Sequence, residues 1–112
     1  MVFFTNAITG ALIGGAGLVN AYSGDMTFFT PGLGACGQTN GAGDFIVALS
    51  QAQYNGNCGR SIKVTYQGKT AVAKVVDLCP GCGSGSIDAS PAVFNSLAYP
   101  DLGRVHVDWV FV

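Results

Sequence analysis

VVDLCPGC at residues 75–82, followed after a Gly/Ser loop by IDASP at residues 87–91, places two carboxylates, two cysteines and a helix start within 17 residues. The valines before Asp77 indicate a buried strand, and Ser90 followed by Pro91 is typical of a helix start. Asp77 and Asp88 each end a run of apolar residues, so we expect both near a rim or mouth of the folded domain. The candidate chemistry is therefore expected here, and the rest of the chain is expected to act mainly as scaffold.

Apolar alternation and β-branched residues predict five strands along the rest of the chain. A tight connection through residues 67–69 predicts a hairpin between the third and fourth strands, and the glycines after the first strand predict a long loop. Because no strand–helix–strand rhythm is present, the pattern predicts an all-β closed barrel with one or two short helices. The predicted strands span residues 25–30, 45–49, 61–66, 70–76 and 105–111.

One helix is predicted to start at the end of the IDASP stretch of residues 87–91. Ser90 can cap it, Pro91 suits its first turn, and Pro100 ends it. An apolar face on this helix is formed by Val93, Phe94 and Leu97.

The composition describes one compact domain with little charge. The chain has 112 residues, of which 49% are hydrophobic and 10% charged, and its formal net charge is -1. A net charge this close to zero gives little electrostatic attraction to nucleic acid or anionic lipid, so a neutral partner fits better.

The first 21 residues carry no charged side chain. An apolar run at residues 7–19 ends in Val19-Asn20-Ala21, which resembles a signal-peptidase site. We therefore expect residues 1–21 to be a signal peptide, residues 22–112 to form the mature domain, and the protein to be secreted without membrane attachment. An ordered N-terminal arm is the alternative.

Export would place the four cysteines in an oxidising compartment and predicts two disulfides, for which three connectivities are possible. We favour Cys36 with Cys58 and Cys79 with Cys82. The spacing of the second pair is also that of redox-active and zinc-binding cysteines. Redox pairs normally open a helix, whereas here the Gly/Ser loop of residues 83–86 follows, so a structural disulfide is favoured over both alternatives.

Three ionisable residues remain as functional candidates. His106, the only histidine, lies in an alternating strand and is interpreted as structural. Partial burial would raise the pKa of Asp77 or Asp88 toward that of a general acid. The alternative is that Asp77 binds the backbone of the glycine loop and Asp88 only prepares the helix start.

Several segments, in order, resemble one family. The chain is similar to the fungal loosenins, single-domain relatives of the expansins within the barwin-like and RlpA-like (rare-lipoprotein-A-like) group, over nearly all of residues 24–112. The segments that carry the resemblance are GDMTFF at 24–29, GACG at 34–37, DFIVALS at 44–50, NCGR at 57–60, VDLCPGC at 76–82, IDASP at 87–91 and GRVHVDW at 103–109.

The resemblance implies a six-stranded double-psi β-barrel with a shallow polysaccharide groove. We expect a monomer without cofactor or metal. Asp88 matches the aspartate that expansins require, which resembles the general acid of family-45 glycoside hydrolases. Thr27 and Asp77 match polar residues that line the groove. We expect Phe28 and Tyr54 to contact substrate as well, with Phe29 and Tyr99 as further aromatic faces.

The chain also departs from the family pattern. Inverting hydrolases need a second carboxylate as base, and where related hydrolases carry it this chain has Thr30-Pro31. Expansins carry a tyrosine where this chain has Cys79, and because the chain stops at Val112 we expect it to lack the expansins' second domain, which binds carbohydrate.

The resemblance therefore predicts non-hydrolytic loosening of a cell-wall polysaccharide such as cellulose, chitin or a peptidoglycan-like glycan, with Asp88 as the key residue. Two alternatives remain at this point. One is lytic glycan cleavage that uses a single aspartate, and the other is a barwin-like protease inhibitor or effector.

Overall fold

The computed structural model describes residues 21–112. The predicted signal peptide lies outside the described residues except for Ala21, with which the first strand begins. The elements in chain order are β1 (Ala21–Phe28), β2 (Ile46–Ser50), α1 (Gln51–Tyr54), β3 (Ser61–Tyr66), β4 (Lys69–Cys79), β5 (Ile87–Ala89), α2 (Pro91–Leu97), a 3₁₀ helix (Pro100–Leu102) and β6 (Val105–Phe111).

The six strands close into one barrel in the order β1-β5-β2-β4-β3-β6. Two neighbouring pairs, β1 with β5 and β2 with β4, are parallel, and the other four pairs are antiparallel. Closure leaves no exposed strand edge, which removes the usual route to edge-to-edge association. The predicted all-β, six-stranded barrel with two short α-helices is confirmed.

The barrel interior is filled by alternate residues of every strand and by the apolar face of α2. Trp109 is almost fully buried, and its indole Nε1 donates a hydrogen bond to the carbonyl of Gly85 at 2.8 Å. Tyr22 stacks on the Trp109 ring with 4.4 Å between centroids. The largest fully buried side chains besides Trp109 are Phe94, Met26, Leu49, Ile62, Ile87 and Leu97. Within residues 21–112, no helix has the length and hydropathy to cross a membrane.

Most predicted elements are confirmed, and the sequence pattern did not locate the strand β5 or the short helix α1. The third and sixth strands begin and end as predicted, and the Ser90 hydroxyl accepts a hydrogen bond from the Val93 N–H at 3.3 Å, which caps α2. β5 has only three residues, too few to show a period of two. β1 begins earlier than predicted because residues 21–24 pair with β6.

Both disulfides form as favoured, Cys36 with Cys58 and Cys79 with Cys82. No cysteine of the described residues is free. The four cysteines are therefore not available as zinc ligands, and Cys79 and Cys82 are present in the oxidised form.

Candidate functional site

A row of four residues crosses the outer face of four adjacent strands. Thr27 on β1 pairs with Asp88 on β5, Asp88 pairs with Ala48 on β2, and Ala48 pairs with Asp77 on β4. Directly opposed residues of neighbouring strands point to the same face of a sheet. The two carboxylates therefore flank Ala48, a small residue that is itself buried.

Asp88 is the half-buried member of this row. Its Oδ1 accepts a hydrogen bond from the Thr27 hydroxyl at 2.9 Å. Burial raises the pKa of Asp88 above its ordinary value, and the negative charge of Asp77 adds to this effect, while the Thr27 hydrogen bond and Arg104 oppose it. A carboxyl of this kind can hold a proton and donate a hydrogen bond at a higher pH than an ordinary aspartate.

A β-bulge places Asp77 on the outer face. Val47 pairs with Val75, but the next residue of β2, Ala48, pairs with Asp77, so Val76 is the extra residue of β4. Ala71, Ala73 and Val75 point into the core. Without the bulge, Asp77 would follow them inward.

The loop after β1 holds this bulge in place. Asp77 Oδ1 accepts hydrogen bonds from the N–H groups of Ala35 and Leu78, both at 2.8 Å. The carbonyl of the bulged Val76 accepts from the Cys36 N–H at 3.1 Å. Gly34 lies so close that a Cβ on it would be 2.3 Å from the Val76 oxygen.

The segment that carries Cys58, the disulfide partner of Cys36, also binds β4 beside the bulge. The N–H of Gly59, which follows Cys58, donates to the carbonyl of Val75 at 2.8 Å. The Cys36–Cys58 disulfide therefore links the two segments that bind consecutive carbonyls of β4, directly before Asp77. Tyr54 completes this region, with its hydroxyl 3.6 Å from the Cys58 Sγ.

The expected position of the two aspartates at strand ends was wrong. Asp77 lies within β4, which continues to Cys79, and Asp88 is the central residue of β5. Both are presented by the side of the barrel instead of its mouth. The alternative interpretation of Asp77 is correct in part, because the carboxylate does bind loop backbone, although the loop is the one after β1.

The remaining predicted residues are spread over the surface. Phe28 ends β1 next to Thr27, is 40% exposed, and packs on Phe94 with 4.8 Å between ring centroids. Tyr99 and His106 lie elsewhere, beside the β3–β4 hairpin and on β6 respectively. His106 is exposed and its Nδ1 lies 3.6 Å from Asp25 Oδ1, so it forms part of a surface charge cluster.

Sequence reasoning missed Ala48 and the backbone of Ala35. Ala48 stands between larger apolar residues in IVALS at residues 46–50, which is a weak signal of a position where space is needed. The Ala35 N–H has no sequence signal of its own, because its role depends on the path of the loop.

Relatives of this chain include plant, fungal and bacterial proteins. An allergen Asp f 7 homologue from Arthroderma benhamiae is 34% identical over 80% of this chain and 38% of its own length. An EG45-like domain containing protein from Citrus jambhiri is 31% identical over 80% of each chain. A papain inhibitor from Streptomyces mobaraensis is 39% identical over 80% of this chain and 71% of its own. The chain thus spans about two fifths of the allergens' length, and no family model matches it.

Two solved structures share the barrel. The Streptomyces papain inhibitor superimposes with a TM-score of 0.77 at 36% identity, covering 85% of this chain and 97% of its own. A mutant expansin from Clavibacter michiganensis in complex with cellohexaose superimposes with a TM-score of 0.76 at 27% identity, covering 83% of this chain and 50% of its own. The chain belongs to the family of double-psi β-barrel proteins that includes the expansin-like proteins, the EG45-like proteins, the Asp f 7 allergens and the papain inhibitor.

Proposed function

We propose that this protein is secreted, binds a neutral cell-wall polysaccharide along the Thr27–Asp88–Ala48–Asp77 row and loosens it without hydrolysis. The observation that carries the proposal is the row itself. It offers a hydroxyl and two carboxylates across four strands, with a small residue between the carboxylates. Sugar hydroxyls can donate to such oxygens and accept from a protonated Asp88. The similar expansin structure contains cellohexaose, which supports a glycan as ligand.

The arrangement of the carboxylates favours binding over cleavage. Inverting hydrolysis needs an acid and a base on opposite sides of the scissile bond, with a water molecule beside the base. Asp77 and Asp88 project from the same face of one sheet, so they contact the same side of a chain that lies on it. Asp77 Oδ1 also already accepts two backbone hydrogen bonds. We therefore assign Asp88 to holding and displacing a glycan chain and Asp77 to the floor of the groove.

The test combines three measurements on one preparation. Pull-down on cellulose, chitin and peptidoglycan reports binding, a reducing-end assay reports cleavage, and the tensile strength of treated cellulose fibres reports loosening. We expect binding and weakening without new chain ends. Release of ends beyond the protein's own stoichiometry would support a lytic enzyme that uses Asp88 alone, and no binding to any of the three polymers would contradict the proposal.

Protease inhibition is a second candidate, and one observation favours it. The papain inhibitor's solved chain is covered over 97% of its length by this chain, so the two share one complete barrel. Titration of papain activity with the protein tests this candidate. Inhibition at equimolar concentration without binding to glycans would replace the proposed function by this one.

A further inference from the structure

A second concave surface is formed by the β3–β4 hairpin, β6 and the segment between α2 and β6, and it borders the row where Arg104 binds Asp25 of β1. Two depressions of about 680 and 270 Å³ adjoin each other here and share lining residues. We call this region the Tyr99 surface, formed by Tyr66, Gln67, Tyr99, Leu102, Arg104 and His106.

Two large side chains are left exposed here. Tyr99 is 80% exposed and Leu102 is 54% exposed, on the short segment between α2 and β6. Tyr66 lies beside them and packs against the core, so one aromatic ring of the surface is held by the barrel. The exposed ring of Tyr99 beside the fixed ring of Tyr66 forms a platform on which a flat apolar face can stack.

Gln67 is held in an unfavourable backbone conformation at the rim that both depressions share. Its φ is +47°, and among the described residues it is the only non-glycine with a positive φ. It forms the two-residue hairpin turn with Gly68, whose φ is +80°. Asn, Asp or Gly is preferred at the first position of such a turn. The glutamine is a costly choice for the turn alone, and an unfavourable conformation kept at a cleft points to a role for the side chain.

The charges of this surface are balanced. The Arg104 guanidinium lies 3.2 Å from the Asp25 carboxylate, and His106 lies beside the same carboxylate. Asp108 lines the larger depression and Lys69 the smaller one, so they add one charge of each sign. The free hydrogen-bonding groups at the smaller depression include two amides, those of Gln67 and Asn95. Aromatic faces, amides and balanced charge fit a neutral carbohydrate better than an anion or a charged peptide.

We propose that the Tyr99 surface is a second glycan-binding site, centred on Tyr99, Tyr66 and Gln67 and bordering the row on its Arg104 side. The proposal rests on the proposed function only for the chemical class of the ligand. Tyr99 and Tyr66 stack on sugar rings, and Gln67 donates to and accepts from sugar hydroxyls. A protein with both sites contacts polysaccharide over a larger part of its surface than the row alone provides.

The experiment is an amide chemical-shift titration of the ¹⁵N-labelled protein with cellohexaose and with chitohexaose, and separately with papain. We expect saturable shifts at residues 66–69 and 95–102 as well as at the row. Shifts confined to Thr27, Ala48 and Asp88 would overturn the second site and leave the proposed function standing. Shifts at the Tyr99 surface alone would support the second site and contradict the proposed function. Shifts at the Tyr99 surface with papain only would contradict a glycan ligand at that surface and would indicate a protein partner. No shifts with any probe would overturn both proposals.

Variants separate binding from stability. Tyr99→Leu should weaken hexaose binding at this surface about three- to tenfold, whereas Tyr99→Phe, which keeps the ring, should retain it. Gln67→Gly should raise the melting temperature, because glycine accepts the positive φ, and should still weaken binding. A more stable Gln67→Gly protein with unchanged affinity would show that the glutamine has no role in binding and overturn this assignment.

Discussion

Thr27 and Asp88 face each other across the parallel pair of β1 and β5, and the Thr27 hydroxyl donates to Asp88 Oδ1 at 2.9 Å. This hydrogen bond favours the carboxylate, while burial favours the protonated form and dominates. The balance between the two sets the pH range in which Asp88 can donate a hydrogen bond to a ligand.

Replacing Thr27 by valine should shift this balance. Thr27→Val keeps the shape of the side chain but removes the donor, so the pKa of Asp88 should rise further above its ordinary value. A pH titration of the Asp88 carboxyl carbon by NMR measures the change. Thr30→Val, in the exposed loop after β1, serves as the control and should leave that titration unchanged, and a fall in the pKa after Thr27→Val would contradict the assigned role of the hydroxyl.

Asp88→Asn tests the role of the ionisable proton. The variant should abolish the weakening of cellulose fibres while the barrel stays folded, because asparagine keeps the size and can still accept from Thr27. Asp101→Asn, in the exposed 3₁₀ helix, is the matched control and should loosen normally. Intact loosening by Asp88→Asn would show that the proton is not needed.

We also expect the difference in stability between Asp88→Asn and the parent protein to depend on pH. Because the folded pKa of Asp88 is raised, the protonated carboxyl contributes stability below the ordinary pKa of 3.8, and this contribution is lost as the pH rises through the folded value. Asparagine cannot ionise. The melting temperature of Asp88→Asn relative to the parent protein should therefore be lowest in acid and should increase through that range, whereas a difference that decreases with pH would indicate a lowered pKa.

The sequence predicts the scaffold well because its strands obey simple alternation. β3, β6, the hairpin and α2 follow from local pattern and capping, whereas the favoured cysteine pairing was confirmed although the sequence left three connectivities open. The order of strands around the barrel did not follow from local pattern, because the parallel pairings of β1 with β5 and of β2 with β4 join segments distant in sequence. That part came from the family resemblance.

The sequence named Thr27, Asp77 and Asp88 as candidates and the structure brings them together in one row, but their geometry could not be predicted. Strict alternation from Ala71 places Asp77 on the inner face, and only the bulge at Val76 reverses this. A bulge is fixed by partners from elsewhere in the chain, here Cys36 and Gly59, which no local pattern can reveal. The position of Tyr99 could not be predicted from local pattern either, because it depends on how the segment between α2 and β6 packs on the barrel.

Gly34→Ala tests the clamp on the bulge. A Cβ at residue 34 would be 2.3 Å from the Val76 oxygen, so the loop or the bulge must shift. We expect a loss of stability of about 1–3 kcal/mol, as for overpacking elsewhere, together with reduced glycan binding and altered amide shifts at Ala35 and Leu78. Gly32→Ala, in the same loop with nothing within 4 Å of the added Cβ, is the control and should change none of these. Normal binding by a folded Gly34→Ala protein would show that the position of Asp77 does not depend on this contact.

Removing the disulfides one at a time should separate stability from the position of Asp77. The Cys36–Cys58 disulfide spans a sequence separation of 22 and the Cys79–Cys82 disulfide one of 3. Chain entropy predicts losses in the free energy of unfolding of about 3 and about 2 kcal/mol for the respective double serine variants. Only the Cys36→Ser/Cys58→Ser protein should also lose the slow amide exchange of Cys36 and Gly59, because its disulfide links the two segments that bind the bulge. Chemical denaturation and hydrogen exchange measure the two effects, and thiol titration of the native protein should find no reactive cysteine. Equal losses of stability with unchanged exchange at Cys36 and Gly59 would show that the Cys36–Cys58 disulfide does not hold the bulge.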